Sequence, residues 1–161
     1  MAIHYKTVPS GTAIYTWIDQ TTGENWHVHV PLLREYIAKR QASAKPFDVK
    51  LAPVDESFAR TFLDDNSVDL QRVIQLGVEV TSGKRKLDPI ILCERGTYTN
   101  GNPDVLLVDG HHRYCLCAMA GEQFIPCFCL SMHQWKRFRI VGAPDMNVDQ
   151  LRDIPILKRN Y

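Results

Sequence analysis

Hydrophobic and polar residues alternate near the start of the chain in a way that predicts a β-hairpin. Residues 12–19 alternate and are rich in β-branched and aromatic side chains, residues 20–23 have turn character, and residues 24–30 alternate again. Pro31 then permits a helix to begin, and the apolar residues after it recur at helical spacing. We therefore expect residues 1–45 to form an added ββα element, which could supply a substrate pocket or a surface for a protein partner.

A polar stretch with a proline marks the predicted boundary of this element. Residues 43–47 carry that signal, and a central domain is expected to follow over residues 46–141. Residues 47–51 predict its first strand. Residues 142–161 are expected to form a C-terminal tail of short elements.

Helical periodicity is the next feature of the central domain. It extends over residues 57–76 and is broken near residues 64–67, which predicts two helices. We expect Asn66 or Ser67 to cap the second helix and Gly77 to end it.

Three further apolar runs predict buried strands, at residues 89–93, 105–108 and 125–130. Turn-forming residues 96–103 are expected to join the first two strands as a hairpin. Gly110 breaks the second run just before an apolar helical stretch, and Gly121 is expected to end that helix. These elements predict an α+β fold, a small mixed sheet with packed helices.

The junction at Gly110 carries the most specific chemical signal of the chain. A helix that begins there directs its free backbone N–H groups and the positive end of its dipole toward a ligand, and anions bind such positions. Gly110 would let a phosphate approach, while His111, His112 and Arg113 would add hydrogen-bond donors. The alternative is a tight turn in which Asp109 caps the helix and Arg113 forms a surface ion pair.

The Asp-Gly-His-His-Arg sequence at residues 109–113 resembles the turn of the ParB/sulfiredoxin superfamily, and the similarity extends over roughly residues 50–140. It implies a ParB/sulfiredoxin-like domain with a nucleotide-phosphate site. Sulfiredoxins have a cysteine where this chain has His111, so sulfinic-acid repair is not expected. Partition ParB proteins continue into a helix-turn-helix domain, for which there is no room after residue 140. The turn is most similar to that of ParB-like free-serine kinases, which use ADP.

This resemblance implies an activity and roles for named residues. The expected protein is a Mg²⁺-dependent phosphotransferase, or a hydrolase that uses ATP or ADP, acting on a small hydroxyl-bearing acceptor; CTP is a further candidate nucleotide. Glu56 stands where the kinases have a general base, Asp109 would hold Mg²⁺ or the acceptor, and His112 would assist catalysis. From the residues alone, the carboxylates before residue 57 equally suit a helix cap. A relative that binds a nucleotide and a protein partner without chemistry is also possible.

Basic residues support an alternative, a nucleotide-gated DNA-binding protein or nuclease of plasmid or phage type. The candidate DNA contacts are Lys84, Arg85, Lys86, Lys136, Arg137 and Arg139. A solvated loop explains the first three equally well. An amphipathic helix over residues 132–139, with Trp135, Phe138 and Ile140 packed on the sheet, explains the others.

Composition and charge restrict these alternatives. The chain has 161 residues, of which 45% are hydrophobic and 23% charged, and a formal net charge of +1, which argues against coating DNA by bulk charge. No signal peptide or membrane-length apolar stretch is present, so a cytoplasmic protein is expected. The five cysteines are expected to be reduced and buried. Zinc at the Cys-x-Cys pairs, or a metal at His27 and His29, is conceivable but poorly matched in spacing.

Overall fold

The structure is a computed structural model that describes residues 3–18, 23–64, 66–97, 103–143 and 153–154. It is a mixed α+β fold, as predicted. The described strands form two small sheets, and the described residues form five α-helices. The chain divides into two compact units. The first unit lies within Met1–Asp48 and Leu130–Asp153, and the second within Val49–Cys129 and Ile154–Tyr161.

The strands are β1 Ile3–His4, β2 Ile14–Ile18, β3 Asn25–His29, β4 Lys50–Pro53, β5 Ile90–Thr97, β6 Pro103–Asp109, β7 Phe124–Leu130, β8 Arg139–Val141 and β9 Asp153–Ile154. The helices are α1 Val30–Gln41, α2 Glu56–Asp64, α3 Leu70–Thr81, α4 His111–Met119 and α5 Met132–Trp135. None of the described helices combines the length and the apolar character that crossing a membrane requires.

The first unit is built on a four-stranded sheet in the order β1-β8-β3-β2. The predicted hairpin and the helix after it are confirmed, because β2 pairs antiparallel with β3 and α1 follows directly. Trp17 lies opposite Trp26 in the hairpin register. The unit contains both early and late parts of the chain, since β8 pairs with β1 and with β3.

The expected amphipathic helix over residues 132–139 is wrong in its length. Helix α5 ends at Trp135, a short 3-10 turn covers Lys136–Phe138, and the chain then enters β8. Pairing of Ile140 with a residue on each neighbouring strand replaces helical hydrogen bonds, so tertiary contacts override the local periodicity. The predicted burial of Trp135 and Ile140 is confirmed.

The second unit is built on a five-stranded sheet in the order β4-β7-β5-β6-β9. The predicted hairpin pairing of β5 with β6 is confirmed, although residues 98–102 of its loop lie outside the described residues. Helices α2, α3 and α4 share one apolar core with the sheet. Its fully buried members include Ala52, Phe62, Val73, Ile90, Leu92, Leu107, Tyr114 and Cys127.

The predicted break between the two helices of this unit is confirmed, but its details differ. The second helix is capped by Asp69, whose carboxylate accepts a hydrogen bond from Gln71 N–H at 2.9 Å, and neither Asn66 nor Ser67 is the cap. Helix α3 continues past Gly77 to Thr81. A Cβ at Gly77 would lie 3.1 Å from Leu116 Cδ1, so the glycine serves close packing against α4 and does not end the helix.

The C-terminal end of α4 follows the prediction. Gly121 has a φ of 75°, and the N–H of Glu122 donates to the carbonyl of Cys117 at 2.9 Å. This pattern is a Schellman cap, which glycine favours because it adopts the left-handed conformation without a steric penalty. The tail predicted over residues 142–161 lies mostly outside the described residues.

Candidate functional site

The predicted order of strand, glycine and helix is confirmed at the junction of β6 and α4. Gly110 has φ 110° and ψ 27°, occupies the N-cap position and has no side chain to cap the helix. Its carbonyl accepts the first hydrogen bond of the helix, from Tyr114 N–H at 2.9 Å. The N-cap residue of α4 therefore supplies no side-chain hydrogen bond of the kind that Ser, Asp or Asn would supply.

Gly110 is required for a reason that the sequence did not reveal. A Cβ at this position would lie 2.5 Å from Ile90 Cγ2 and 3.1 Å from Arg113 Nη2. Any other residue would also be held at a φ that L-amino acids rarely adopt. The glycine therefore lets β5 and α4 pack closely at the junction, whether or not a ligand is present.

Arg113 is held inside the unit by oxygen acceptors. Its Nη1 donates to the carbonyls of Asp88 and Pro89, both at 2.8 Å, and its Nη2 lies 3.2 Å from Asp109 Oδ2. The side chains of Arg113 and Asp109 are only 16% and 13% exposed, so the expected surface ion pair is a largely buried one. Asp109 ends β6, and Gly110 occupies the N-cap position of the helix. The opposite charges of the pair largely cancel at this corner.

His111 packs against α2 and stays neutral at physiological pH. Its ring meets the ring of Phe62 edge to face, with the centroids 5.0 Å apart. Desolvation lowers the pKa of His111 to about 4, against the smaller opposing effect of Asp109. The imidazole can therefore offer a hydrogen bond to a ligand but not a positive charge.

His112 faces the start of α3 and has an unsatisfied nitrogen. Its Nε2 is buried without a hydrogen-bond partner among the described residues. Burial lowers the pKa of His112, the positive charge of Arg72 lowers it further, and Asp69 acts in the opposite direction. A buried polar atom without a partner costs free energy, so this nitrogen is a position that a ligand oxygen would stabilise.

Glu56 lies on a helix that is tied to the junction. Asp55 caps α2 by accepting hydrogen bonds from the N–H groups of Ser57 and Phe58 at 2.8 and 3.3 Å, as the helix-cap alternative predicted. The N–H of Asp55 donates to Tyr114 Oη at 2.8 Å. Glu56 itself is exposed at the start of α2.

Sequence reasoning missed Tyr114 and Arg72. Tyr114 is an aromatic residue with a polar tip, one helical turn after Gly110, and that position is a usable signal for a buried link to a neighbouring helix. Arg72 reaches His112 only through the packing of α3 beside α4, which the sequence does not show.

The candidate nucleic-acid residues fall into two groups. Lys84, Arg85 and Lys86 are exposed in the second unit, where Arg85 pairs with Glu79 at 3.5 Å. Lys136 and Arg137 are exposed in the first unit. Arg139 is engaged internally instead: its Cζ lies 3.9 Å from the ring centroid of Trp26, and its Nη2 donates to the carbonyl of Asn25 at 3.3 Å.

Metal sites at the histidines and cysteines gain no support. His27 Nδ1 lies 2.8 Å from Thr16 Oγ1, and His29 Nδ1 accepts the N–H of Leu32 at the start of α1. All five cysteines are free thiols, as expected. Within the described ranges no group of three histidine, cysteine or carboxylate side chains could hold a metal ion.

The corner between β6 and α4 thus offers hydrogen-bond donors with little net positive charge. The imidazole of His112 has a buried nitrogen without a partner among the described residues, while Arg113 supports the turn from inside. Comparison of the chain with protein-family models, with curated proteins and with solved structures gives no match.

Proposed function

We propose that the second unit has a ParB/sulfiredoxin-like fold and binds a nucleotide through its phosphates at the start of α4. The observation that carries this proposal is the buried Nε2 of His112 in the first turn of α4, which lacks a hydrogen-bond partner among the described residues. A phosphate oxygen would satisfy that nitrogen, and the positive end of the α4 dipole would favour its negative charge. In this proposal Gly110 and His111 contribute main-chain atoms to the site, and Arg113 fixes the conformation of the turn.

The activity that we propose is phosphoryl transfer from ATP or ADP to a hydroxyl-bearing acceptor, or to water. Glu56 would accept the proton of the attacking hydroxyl as its oxygen bonds to the terminal phosphorus. The bond between that phosphorus and the bridging oxygen breaks, and the nucleotide leaves one phosphate shorter. Exposure of Glu56 supports this role, because an acceptor can reach its carboxylate.

Magnesium enters this proposal only as a companion of the nucleotide. Asp109, the expected ligand, is already paired with Arg113 at 3.2 Å, so the residues of this corner do not fit a metal site made by the protein alone. Mg²⁺ in nucleotide sites is commonly bound by phosphate oxygens and water with few protein ligands. The proposed proton transfer accordingly uses protein side chains alone.

Free and mostly buried cysteines suit a reducing compartment, in keeping with a cytoplasmic location.

Calorimetric titration with ATP, ADP and CTP, with and without Mg²⁺, tests the binding step. We expect one nucleotide to bind, and His112→Ala to weaken binding about tenfold through loss of one hydrogen bond to a charged group. His133→Ala is the matched control, because His133 is an exposed imidazole of the first unit. Absence of binding by any nucleotide, or equal effects of the two variants, would contradict the proposal.

Turnover is tested separately. Glu56→Gln should keep nucleotide affinity but lose release of phosphate or transfer to the acceptor, because glutamine cannot take a proton. Asp64→Asn removes another exposed carboxylate of α2 and should leave turnover unchanged. Unaltered turnover in Glu56→Gln would exclude Glu56 as the base while leaving the binding site intact.

A further inference from the structure

A group of aromatic rings and arginines in the first unit has no role in the function proposed above. Tyr36 lies on α1, Phe47 follows that helix, and Phe138 lies in the 3-10 turn before β8. The centroid of the Tyr36 ring is 5.7 Å from that of Phe47 and 5.4 Å from that of Phe138. All three rings are partly exposed.

Two guanidinium groups lie against these rings. Cζ of Arg137 is 4.1 Å from the ring centroid of Tyr36 and 5.2 Å from that of Phe138. Cζ of Arg40 is 4.9 Å from the ring centroid of Phe47. We call these five residues the aromatic–arginine surface. Such stacking orders long side chains that would otherwise move freely, so their planar groups are presented in fixed positions.

The charges of this surface are not neutralised by the protein. Among the residues that the structure describes, neither Arg40 nor Arg137 forms an ion pair with a carboxylate, and the same is true of Lys136. Lys39, one residue before Arg40, is by contrast paired with Glu35 at 2.9 Å. The chain as a whole has a net charge of +1, so this local excess of positive charge is a specific feature and does not reflect overall composition.

Packing alone explains part of this arrangement. A single arginine over a ring contributes modestly to folding, and an exposed one contributes least. Arg40 Nε also donates to the carbonyl of Lys45, which fixes the guanidinium but leaves its charge without a carboxylate partner among the described residues. Partly exposed rings beside basic side chains that lack ion pairs are the combination that binds single-stranded nucleic acids. Their bases stack on rings and on guanidinium planes, and their phosphates contact unpaired basic side chains.

We propose that the aromatic–arginine surface binds single-stranded DNA or RNA. Unpaired bases stack on Tyr36, Phe138 and the guanidinium of Arg137, while Arg40 and Lys136 contact phosphates. Duplex nucleic acid is a poor ligand, because its bases are already stacked on one another. This inference is independent of the nucleotide site, since it uses different residues in the other compact unit.

Fluorescence anisotropy of the full chain with labelled oligo-dT and oligo-U of about 12 nucleotides tests the proposal. With the two phosphate contacts of Arg40 and Lys136, affinity should fall about sevenfold between about 50 and 200 mM salt. Duplex of equal length should bind at least about tenfold more weakly than the single strand, because it offers no base to stack. Comparison of oligo-dT with oligo-U shows whether DNA or RNA is preferred.

Variants separate specific contacts from general charge attraction. Arg137→Gln and Tyr36→Leu should each weaken single-strand binding about tenfold, through loss of a phosphate or stacking contact. Arg60→Gln removes an exposed arginine of the second unit and should leave affinity unchanged. Circular dichroism of each variant confirms that it is folded.

Several outcomes would overturn the inference. One is absence of single-strand binding at low salt, and another is equal weakening by Arg137→Gln and Arg60→Gln. A third is equal affinity for poly-glutamate, which would identify the surface as a site for acidic peptides.

Discussion

The hydroxyl oxygen of Tyr114 accepts a hydrogen bond of 2.8 Å from the backbone N–H of Asp55. This contact joins the start of α2, which carries Glu56, to the first turn of α4, which begins at the candidate phosphate site. Tyr114 is fully buried, and desolvation raises its pKa to about 12. The hydroxyl therefore remains protonated throughout the physiological range and keeps one geometry between the two helices.

Removal of this hydroxyl tests the link. Tyr114→Phe should lower the free energy of unfolding by about 1–2 kcal/mol, because the N–H of Asp55 loses its partner in a partly buried place. Urea denaturation measures the change. Tyr5→Phe, at an exposed tyrosine, is the control and should be within about 0.5 kcal/mol of the wild type. An equal effect of the two substitutions would show that the Tyr114 hydroxyl is not a structural link.

Gly110 provides a second prediction. Gly110→Ala should destabilise the protein by about 3 kcal/mol, because it combines an unfavourable φ with a contact of 2.5 Å to Ile90 Cγ2. Gly83→Ala is a matched control, since Gly83 also has a positive φ of 77° but has nothing within 4 Å of an added Cβ. Gly83→Ala should lower the free energy of unfolding by only about 1 kcal/mol.

The Ile90 contact can be separated from backbone strain. If it is responsible, Ile90→Ala should recover part of the stability lost in Gly110→Ala, although the same change destabilises the wild type. Strictly additive effects of the two substitutions would show that the clash is unimportant.

The burial of His111 should make the stability of the folded protein fall as the pH falls. The pKa of His111 falls from 6.5 to about 4 on folding, so between these values the unfolded chain binds a proton that the folded chain does not. Stability is therefore full above pH 6.5 and declines by about 3 kcal/mol as the pH falls to 4. Burial also lowers the pKa values of His27 and His112, which act in the same direction.

Urea midpoints at neutral and acid pH measure this decline. His111→Phe should reduce it, because phenylalanine keeps the ring contact with Phe62 but cannot be protonated. An unchanged pH dependence in this variant would mean that His111 is protonated equally in the folded and unfolded states.

The cysteines should be unreactive in the folded protein. Burial raises the pKa values of Cys115 and Cys127 to about 11 and that of Cys129 to about 12, so few thiolates exist at pH 8. Ellman's reagent should therefore react slowly with native protein and quickly with all five thiols in urea. Cys129 is the one thiol that is not fully buried, and any early reaction should disappear in Cys129→Ser. Rapid native reaction at another cysteine would contradict the structure.

Two neighbouring arginines of the first unit should differ in their effect on stability. Arg139→Ala should cost about 1–2 kcal/mol, because Arg139 stacks on Trp26 at 3.9 Å and donates to the carbonyl of Asn25. Arg137→Ala, at an exposed position, should cost about 0.5 kcal/mol. Thermal melting compares them. The opposite order would show that Arg137 belongs to the core and is not available to a ligand.

Features encoded in short stretches of the chain were predictable from the sequence. The hairpin before α1, the break before α3 and the glycine junction at α4 depend on neighbouring residues, so periodicity and turn chemistry are sufficient to predict them. Gly77 and the segment at residues 132–139 were misassigned because contacts distant in sequence decide their conformation.

The same distinction applies to the candidate site. The sequence indicated Gly110 and its neighbours, but it could not show that Arg113 is bound to the carbonyls of Asp88 and Pro89. Nor could it show that His111 is held neutral by burial. Both facts arise from packing between elements, and both change the expected chemistry from charge attraction to hydrogen bonding.

The pairing of β8 with β1 and β3 has a consequence for synthesis on the ribosome. The hairpin emerges first, but one edge of β3 stays without its neighbour until more than a hundred further residues have been translated. The intervening segment supplies β4, β5, β6 and β7, four neighbouring strands of the other sheet, and only the edge strand β9 of that sheet comes from later in the chain. We expect these four strands to pair before β8 is translated, with the unpaired edge of β3 as the place where nascent chains aggregate.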